Sequence, residues 1–229
     1  MRFYLSIFIL YIVHSYLLAS EPLAIISKVR GKVKHKMVSD NKYRSKTKLN
    51  TPILSDMQIR TKSRSFSKIS YLDDGTIISM YSETEIIIKD TINNRIVIKN
   101  VELLHGIIRV IVPNQKLDKF KLTTPYSELN CNRCIFWVIS DEESGDQFIN
   151  ESGNAEVWNL SSDQTQELTS NSSILSKGEM KFEIITTPIT DLKLLESLML
   201  VVNEKTLIHN KEDIEEQSST IISNIVVIK

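Results

Sequence analysis

The residues best spaced for chemistry in this sequence are Cys131-Asn-Arg-Cys134, which hold the chain's two cysteines. A thiol pair at this spacing suits either a redox dithiol or half of a metal site. A redox dithiol works because its first cysteine opens a helix in a βαβ setting, which lowers the thiol pKa. The flanking sequence predicts no such setting. A zinc site needs two further ligands, and after residue 20 only His35, His105 and His209 are on offer, widely scattered. The remaining readings are a structural disulfide or two ordinary thiols. Residues i and i+3 of an extended strand lie about 10 Å apart, and a bridge spans roughly 7 Å at most. A Cys131–Cys134 disulfide therefore requires a turn at Asn132-Arg133. An exported protein favours the bonded form, with a structural rather than a catalytic role.

Charge supplies the second candidate. Residues 28–48 carry nine basic side chains and one acid, Asp40, whereas residues 141–176 carry eight acids and no Lys or Arg. Arg30, Lys32, Lys34 and Lys36 recur at every second position, so one strand face would present them together. Such a strip suits an anionic envelope polymer or lipid head groups. It equally suits a solvated face whose lysines block edge-to-edge aggregation. The chain as a whole has 28 basic and 28 acidic residues and no net charge. No overall field draws it to nucleic acid, and no nucleic-acid partner is expected.

No G-x-S-x-G elbow, H-E-x-x-H motif or Gly-rich phosphate loop occurs. Asp73-Asp74 and Glu142-Glu143 sit in turn-like contexts, where carboxylates are solvated. Trp137 and Trp158 fall in strand-like runs, as core or sheet-face residues; exposed, they would suit a carbohydrate. The expectation is a protein that is not an enzyme, with no cofactor and no metal site.

The elements that must position these residues read as strands. Across 30–37, Val33, His35 and Met37 alternate with the basic residues, the period of a half-buried strand. Similar runs, rich in Ile and Val, cover 67–72, 76–81, 85–89, 95–99, 107–112, 119–123, 135–139 and 155–159. Turn signals separate them at Asp73-Asp74-Gly75, Asn93-Asn94, His105-Gly106, Pro113-Asn114 and Glu143-Ser144-Gly145. Many short strands at this spacing predict an all-β fold of two packed antiparallel sheets, a curved sandwich or barrel.

At the N-terminus Met1-Arg2 precedes an apolar run that ends in Ala19-Ser20, the three parts of a secretory signal peptide. The expected organisation is a signal peptide at 1–20, a β domain at 21–188 and a C-terminal helix and weakly ordered tail at 189–229. Leu192, Leu195, Leu198, Met199 and Val202 recur at helical spacing within 189–203. No stretch after the leader is long and apolar enough to cross a bilayer as a helix.

Several short motifs together resemble the FecR domain family. They are Ile25-x-x-x-Val29-x-Gly31-x-Val33, Gln58-Ile-Arg-Thr61 with Ser65, and Leu72-x-Asp74-Gly75-Thr76. Further on come Leu104-x-Gly106-x-Ile108-x-Val110, Phe120-x-Leu122-x-Thr124-Pro125, Gly153-x-Ala155-x-Val157 and Leu175-x-x-Gly178-Glu179. Their order agrees over roughly residues 22–183. The sequence departs from the family at Arg133-Cys134-Ile135, where an Arg-Gly-Thr-like step is usual. The resemblance implies a domain type and an envelope location, the periplasm or cell surface of a bacterium. Founding members are inner-membrane regulators whose external domain relays receptor occupancy to a sigma factor, and this chain lacks their cytoplasmic part. The reading that follows is an exported, non-catalytic binding or scaffold module, meeting an envelope protein or anionic polymer. Its rival is a periplasmic sensor subunit working with a membrane partner; an envelope thiol-redox enzyme is the weaker alternative.

Overall fold

The computed structural model describes residues 21–43, 46–93, 96–113, 120–178 and 182–186. All regular structure among them is β. In chain order the strands are β1 (Ala24–Arg30), β2 (Val33–Met37), β3 (Pro52–Ile53), β4 (Met57–Thr61), β5 (Phe66–Tyr71), β6 (Ile77–Met80), β7 (Glu85–Ile88) and β8 (Thr91–Asn93). They continue with β9 (Ile96–Ile98), β10 (Asn100–Val112), β11 (Phe120–Thr123), β12 (Ser127–Asp141), β13 (Gly145–Asn159), β14 (Gln164–Leu168), β15 (Ser172–Ser176) and β16 (Glu183–Thr186).

The strand pattern led to the expectation of an all-β fold of two packed antiparallel sheets; the described residues are all-β, with fourteen strands in one hydrogen-bonded mixed sheet and β8 and β9 paired with each other. Three long strands explain the continuity, because β10, β12 and β13 change partners along their length. The first half of β10 pairs with β7 and, in parallel, with β11; its second half pairs with β6 and β12. β13 pairs with β15 at its start and with β14 at its end. One row of the sheet therefore runs β3-β1-β5-β6-β10-β12-β13-β15-β16, and the other runs β2-β4-β7-β10-β11-β12-β13-β14.

Each long strand carries an irregularity where it passes between rows. β10 shifts register between Leu103 and His105, just before Gly106. β12 has one extra residue, Asn132, between Cys131 and Arg133, and β13 has one, Glu151, opposite the Ile135–Phe136 step. An extra residue changes which side chains face inward. In β10 the inward set is Val101 and Leu103 before the shift, then Ile108, Val110 and Val112 after it. In β12 it is Leu129 and Cys131, then Cys134, Phe136 and Val138. Residues of both rows thus join one core cluster, with Ile59, Leu103, Phe120, Leu129, Phe136 and Phe148 at 0% exposure.

His105-Gly106, expected as a turn, lies inside β10. Gly106 has φ +103°, and a Cβ there would come within 2.5 Å of the Thr84 Cα, so glycine permits the bend rather than ending the strand. The 30–37 run is divided at Gly31-Lys32 into two strands. The expected helix at 189–203 and the tail after it lie outside the described residues, as does the leader at 1–20.

Candidate functional site

Cys131 and Cys134 are joined in a disulfide with a Cα–Cα separation of 6.3 Å. The turn expected at Asn132-Arg133 is absent, and β12 runs straight through the motif. The Asn132 bulge achieves what a turn was required for. In a regular strand, i and i+3 point to opposite faces; one extra residue turns both sulfurs to the same core. Both cysteines are almost wholly buried, at 2% and 1% exposure. Gly153, opposite Cys134 on β13, has φ +83°, and a Cβ there would approach the Arg133 carbonyl oxygen to 2.2 Å.

Over this bend lies an open groove of about 700 Å³, lined by Asn130, Asn132, Arg133, Asn154, Glu156 and Glu167 among others. Its side chains are amides, carboxylates and one guanidinium, which offer hydrogen bonds to a polar ligand. With its sulfurs bonded and buried, the adjoining disulfide supplies no thiolate nucleophile.

The basic strip is split between elements. Arg30 ends β1, Lys32 stands in the turn, and Lys34 and Lys36 lie on β2. Arg30, Lys32 and Lys34 are exposed, while Lys36 is half-buried, with Nζ donating to the Asp40 carbonyl at 3.2 Å. Lys36 also stands over the Tyr43 ring at 5.4 Å. The structure therefore brings Lys34 and Lys36 onto one face and separates Arg30 from them by the Gly31 turn.

Beside Lys34 runs a cross-strand polar row that the sequence pattern concealed: Arg60 on β4, Glu85 on β7 and His105 on β10 are register partners. Glu85 is 2% exposed and accepts hydrogen bonds from Tyr43, Gln58 and Arg60. His105 Nε2 lies 3.4 Å from its Oε2. Burial by itself would raise the Glu85 carboxyl, but the bonds from Tyr43 and Arg60 outweigh it and hold the group below its ordinary value. No periodicity rule finds this cluster, because its members come from separate strands.

A second cluster gathers at the β5–β6 turn. Lys99, with 1% of its side chain exposed, reaches Asp73 at 2.6 Å and Asp74 at 3.1 Å. Asp74 also accepts from the Thr76 amide and hydroxyl, so the Leu72-x-Asp74-Gly75-Thr76 motif builds a tied hairpin. These two aspartates, read from sequence as solvated, are engaged with a buried lysine instead. Nearby Asp90 accepts from the Asn100 amide at 2.7 Å, and burial pushes its carboxyl up to about 7. Among the described residues no group of three or more His, Cys, Asp or Glu is arranged to hold a metal ion.

Trp137 is fully buried, yet it lies outside the core cluster. It belongs to the opposite face of the sheet, 5.1 Å from the Tyr81 ring, with its indole N–H donating to Glu151. Arg109 meets the same Glu151 through two hydrogen bonds, of 2.8 and 2.7 Å. Trp158 is half-buried, and its indole donates to Asp163 at 3.0 Å.

Comparison with known proteins gives a match to the family model "FecR protein" over residues 57–150. The matched stretch runs from β4 into β13 and includes the bends of β10 and β12. No curated protein matches. Two crystal structures of a candidate anti-sigma factor from Parabacteroides distasonis ATCC 8503 are similar. They show 17% and 18% identity, TM-scores of 0.47 and 0.48, and each covers 59% of this chain. The chain spans less than two thirds of those proteins, 64% and 63%.

Proposed function

From the FecR domain that this chain carries over residues 57–150, we propose that it is the exported sensing part of an envelope signalling system, acting through a membrane partner. The family match is the observation that carries this reading. FecR regulators place such a domain outside the cytoplasmic membrane, where it relays an external event inward. No described helix of this chain is long and apolar enough to cross a membrane. In this reading the inward relay belongs to a second protein and the leader-like segment at 1–20 to export.

A binding module for an anionic envelope polymer is the second reading, and the exposed Lys34 beside Lys36 favours it. One experiment separates the two. The gene is deleted in the native host, transcripts are compared, and the tagged full chain is cross-linked in the intact envelope. The sensor reading expects a small, defined set of transcripts to change and an integral membrane protein to be captured at comparable stoichiometry. Unchanged transcripts, with only glycan or lipopolysaccharide recovered, would leave the polymer-binding module standing.

A further inference from the structure

We propose that β2 and the loop beside it dock on an anionic phospholipid bilayer, with lysines meeting the headgroup phosphates and Leu49 entering beneath them. Lys32, Lys34, Lys42, Lys46 and Lys48 are all exposed. Lysines elsewhere in the protein meet carboxylates, as Lys89 meets Asp56 and Lys121 meets Glu128. Among the described residues no acid is paired with any of these five. The acids nearest to them are withdrawn. Glu85 is 2% exposed and bonded to Tyr43 and Arg60, Asp40 is half-buried, and Asp56 lies 3.8 Å from Lys89.

Hydrogen bonds gather these cations at one edge of the sheet. The Thr47 amide donates to the Val33 carbonyl at 2.8 Å, and His35 Nδ1 and the Thr47 hydroxyl lie 2.9 Å apart. Residues 46–48 therefore run beside β2, and Lys46 and Lys48 join Lys32 and Lys34. Tyr43 bonds to Glu85 and lies 5.4 Å from the Lys36 ammonium, which brings the neighbouring Lys42 to the same edge. The Thr47 bond also weighs against a purely protective role for the lysines. Lysines on an edge strand keep other strands from pairing, but at Val33 the loop already covers that edge.

Exposed apolar side chains choose the occupant. Val38 and Leu49, in the same connection between β2 and β3, are 40% and 60% exposed. Leu49 is held outward on a tied turn. The Thr51 amide donates to the Lys48 carbonyl at 3.2 Å, and the Lys48 amide to the Thr51 hydroxyl at 3.0 Å. The Asn50 amide fastens that turn to the Ile26 carbonyl on β1 at 2.8 Å. A leucine fixed among lysines gains by entering the headgroup–acyl boundary, while the ammonium groups stay with the phosphates. A soluble anionic polymer would use the cations and leave Leu49 in water. Topology adds an orientation. β2 begins its row, and β14, with Glu167, ends it beside Glu156 of β13. On a chain of zero net charge, this separation turns the basic edge toward a negative surface.

The test is cosedimentation of the full chain with vesicles of phosphatidylcholine, alone or mixed with phosphatidylglycerol. The parent should bind the mixed vesicles in preference, and high salt should weaken that binding. Lys34→Glu with Lys46→Glu and Lys48→Glu should lower the affinity at least about ten-fold, with the β-type far-UV spectrum retained. Both proteins carry the segment at 1–20, so their difference reports the basic edge. Leu49→Trp adds a readout that the cations do not supply. Its emission, taken as the difference from the parent, should shift to the blue on mixed vesicles. Should the triple variant misfold, that shift decides alone. Equal binding by the parent and the folded triple variant overturns the proposal. So does vesicle binding by Leu49→Trp without a shift. A parent that leaves the vesicles for soluble polyphosphate overturns it too, and would make the occupant a polymer.

Discussion

At the scale of single residues, one inserted residue decides the chemistry of the cysteine pair. Asn132 gives β12 the change of face that puts Cys131 and Cys134 against the same core. A loop this short removes little entropy from the unfolded chain, so Cys134→Ser should lower stability by about 1–2 kcal/mol. Urea unfolding of both proteins measures this, and thiol labelling of the denatured parent should find no reactive thiol before reduction. Asp90 makes a pH prediction of definite sign. Its folded pKa stands at about 7, above its ordinary value. Between about pH 4 and pH 7 the folded protein keeps a proton that the unfolded chain has released. Stability is therefore fully present at low pH and falls as pH rises, by about 1.4 kcal/mol per unit. Asp90→Asn keeps an oxygen for the Asn100 amide and lacks this loss. The variant should gain on the parent steadily from pH 4 to 7 and then level off. A difference independent of pH would show instead that Lys99 stabilises an ionised Asp90.

Among elements, the bends in β10, β12 and β13 matter more than the strands' individual propensities. Gly106→Ala would place a methyl group 2.5 Å from the Thr84 Cα at φ +103°. The expected loss is at least about 2 kcal/mol, read as a lower urea midpoint. The same substitution at Gly75 meets nothing within 4 Å and should cost only the smaller strain of its positive φ. For the basic strip, Lys34→Glu alone tests the face that the structure leaves open. If that face holds an anionic surface, binding to anionic vesicles at low salt should fall several-fold and fade for the parent at high salt. Equal binding by parent and variant would identify Lys34 as a solvated edge residue.

For the whole molecule, a single core reaches through both rows, with Leu129 on one side of the bend and Phe148 on the other. The domain should therefore unfold as one unit. Leu129→Ala should cost about 2–5 kcal/mol and Phe148→Ala about 3–5 kcal/mol. Circular dichroism and tryptophan emission should follow coincident transitions in each variant. Two separated transitions would mean that the rows are independent units.

Period-two alternation of Ile and Val was enough to locate most strands, because a strand's faces are written residue by residue. Asp-Asp-Gly and Glu-Ser-Gly marked hairpins for the same local reason: the turn's backbone is decided by its own residues. The short motifs from Gln58-Ile-Arg-Thr61 to Thr124-Pro125 were likewise legible in order and spacing, and they fall within the stretch that matches the FecR family model, residues 57–150. What joined the strands was not legible. Nothing near His105-Gly106 tells a turn from a bulge; the Thr84 backbone packed against it decides. Nothing near Glu85 announces Tyr43, Arg60 and His105, which arrive from other strands. The disulfide required the Asn132 bulge, and that bulge exists only relative to the strand opposite. Local conformation follows from neighbours in sequence, whereas register, burial and ionic partners follow from neighbours in space, and only the folded sheet supplies those.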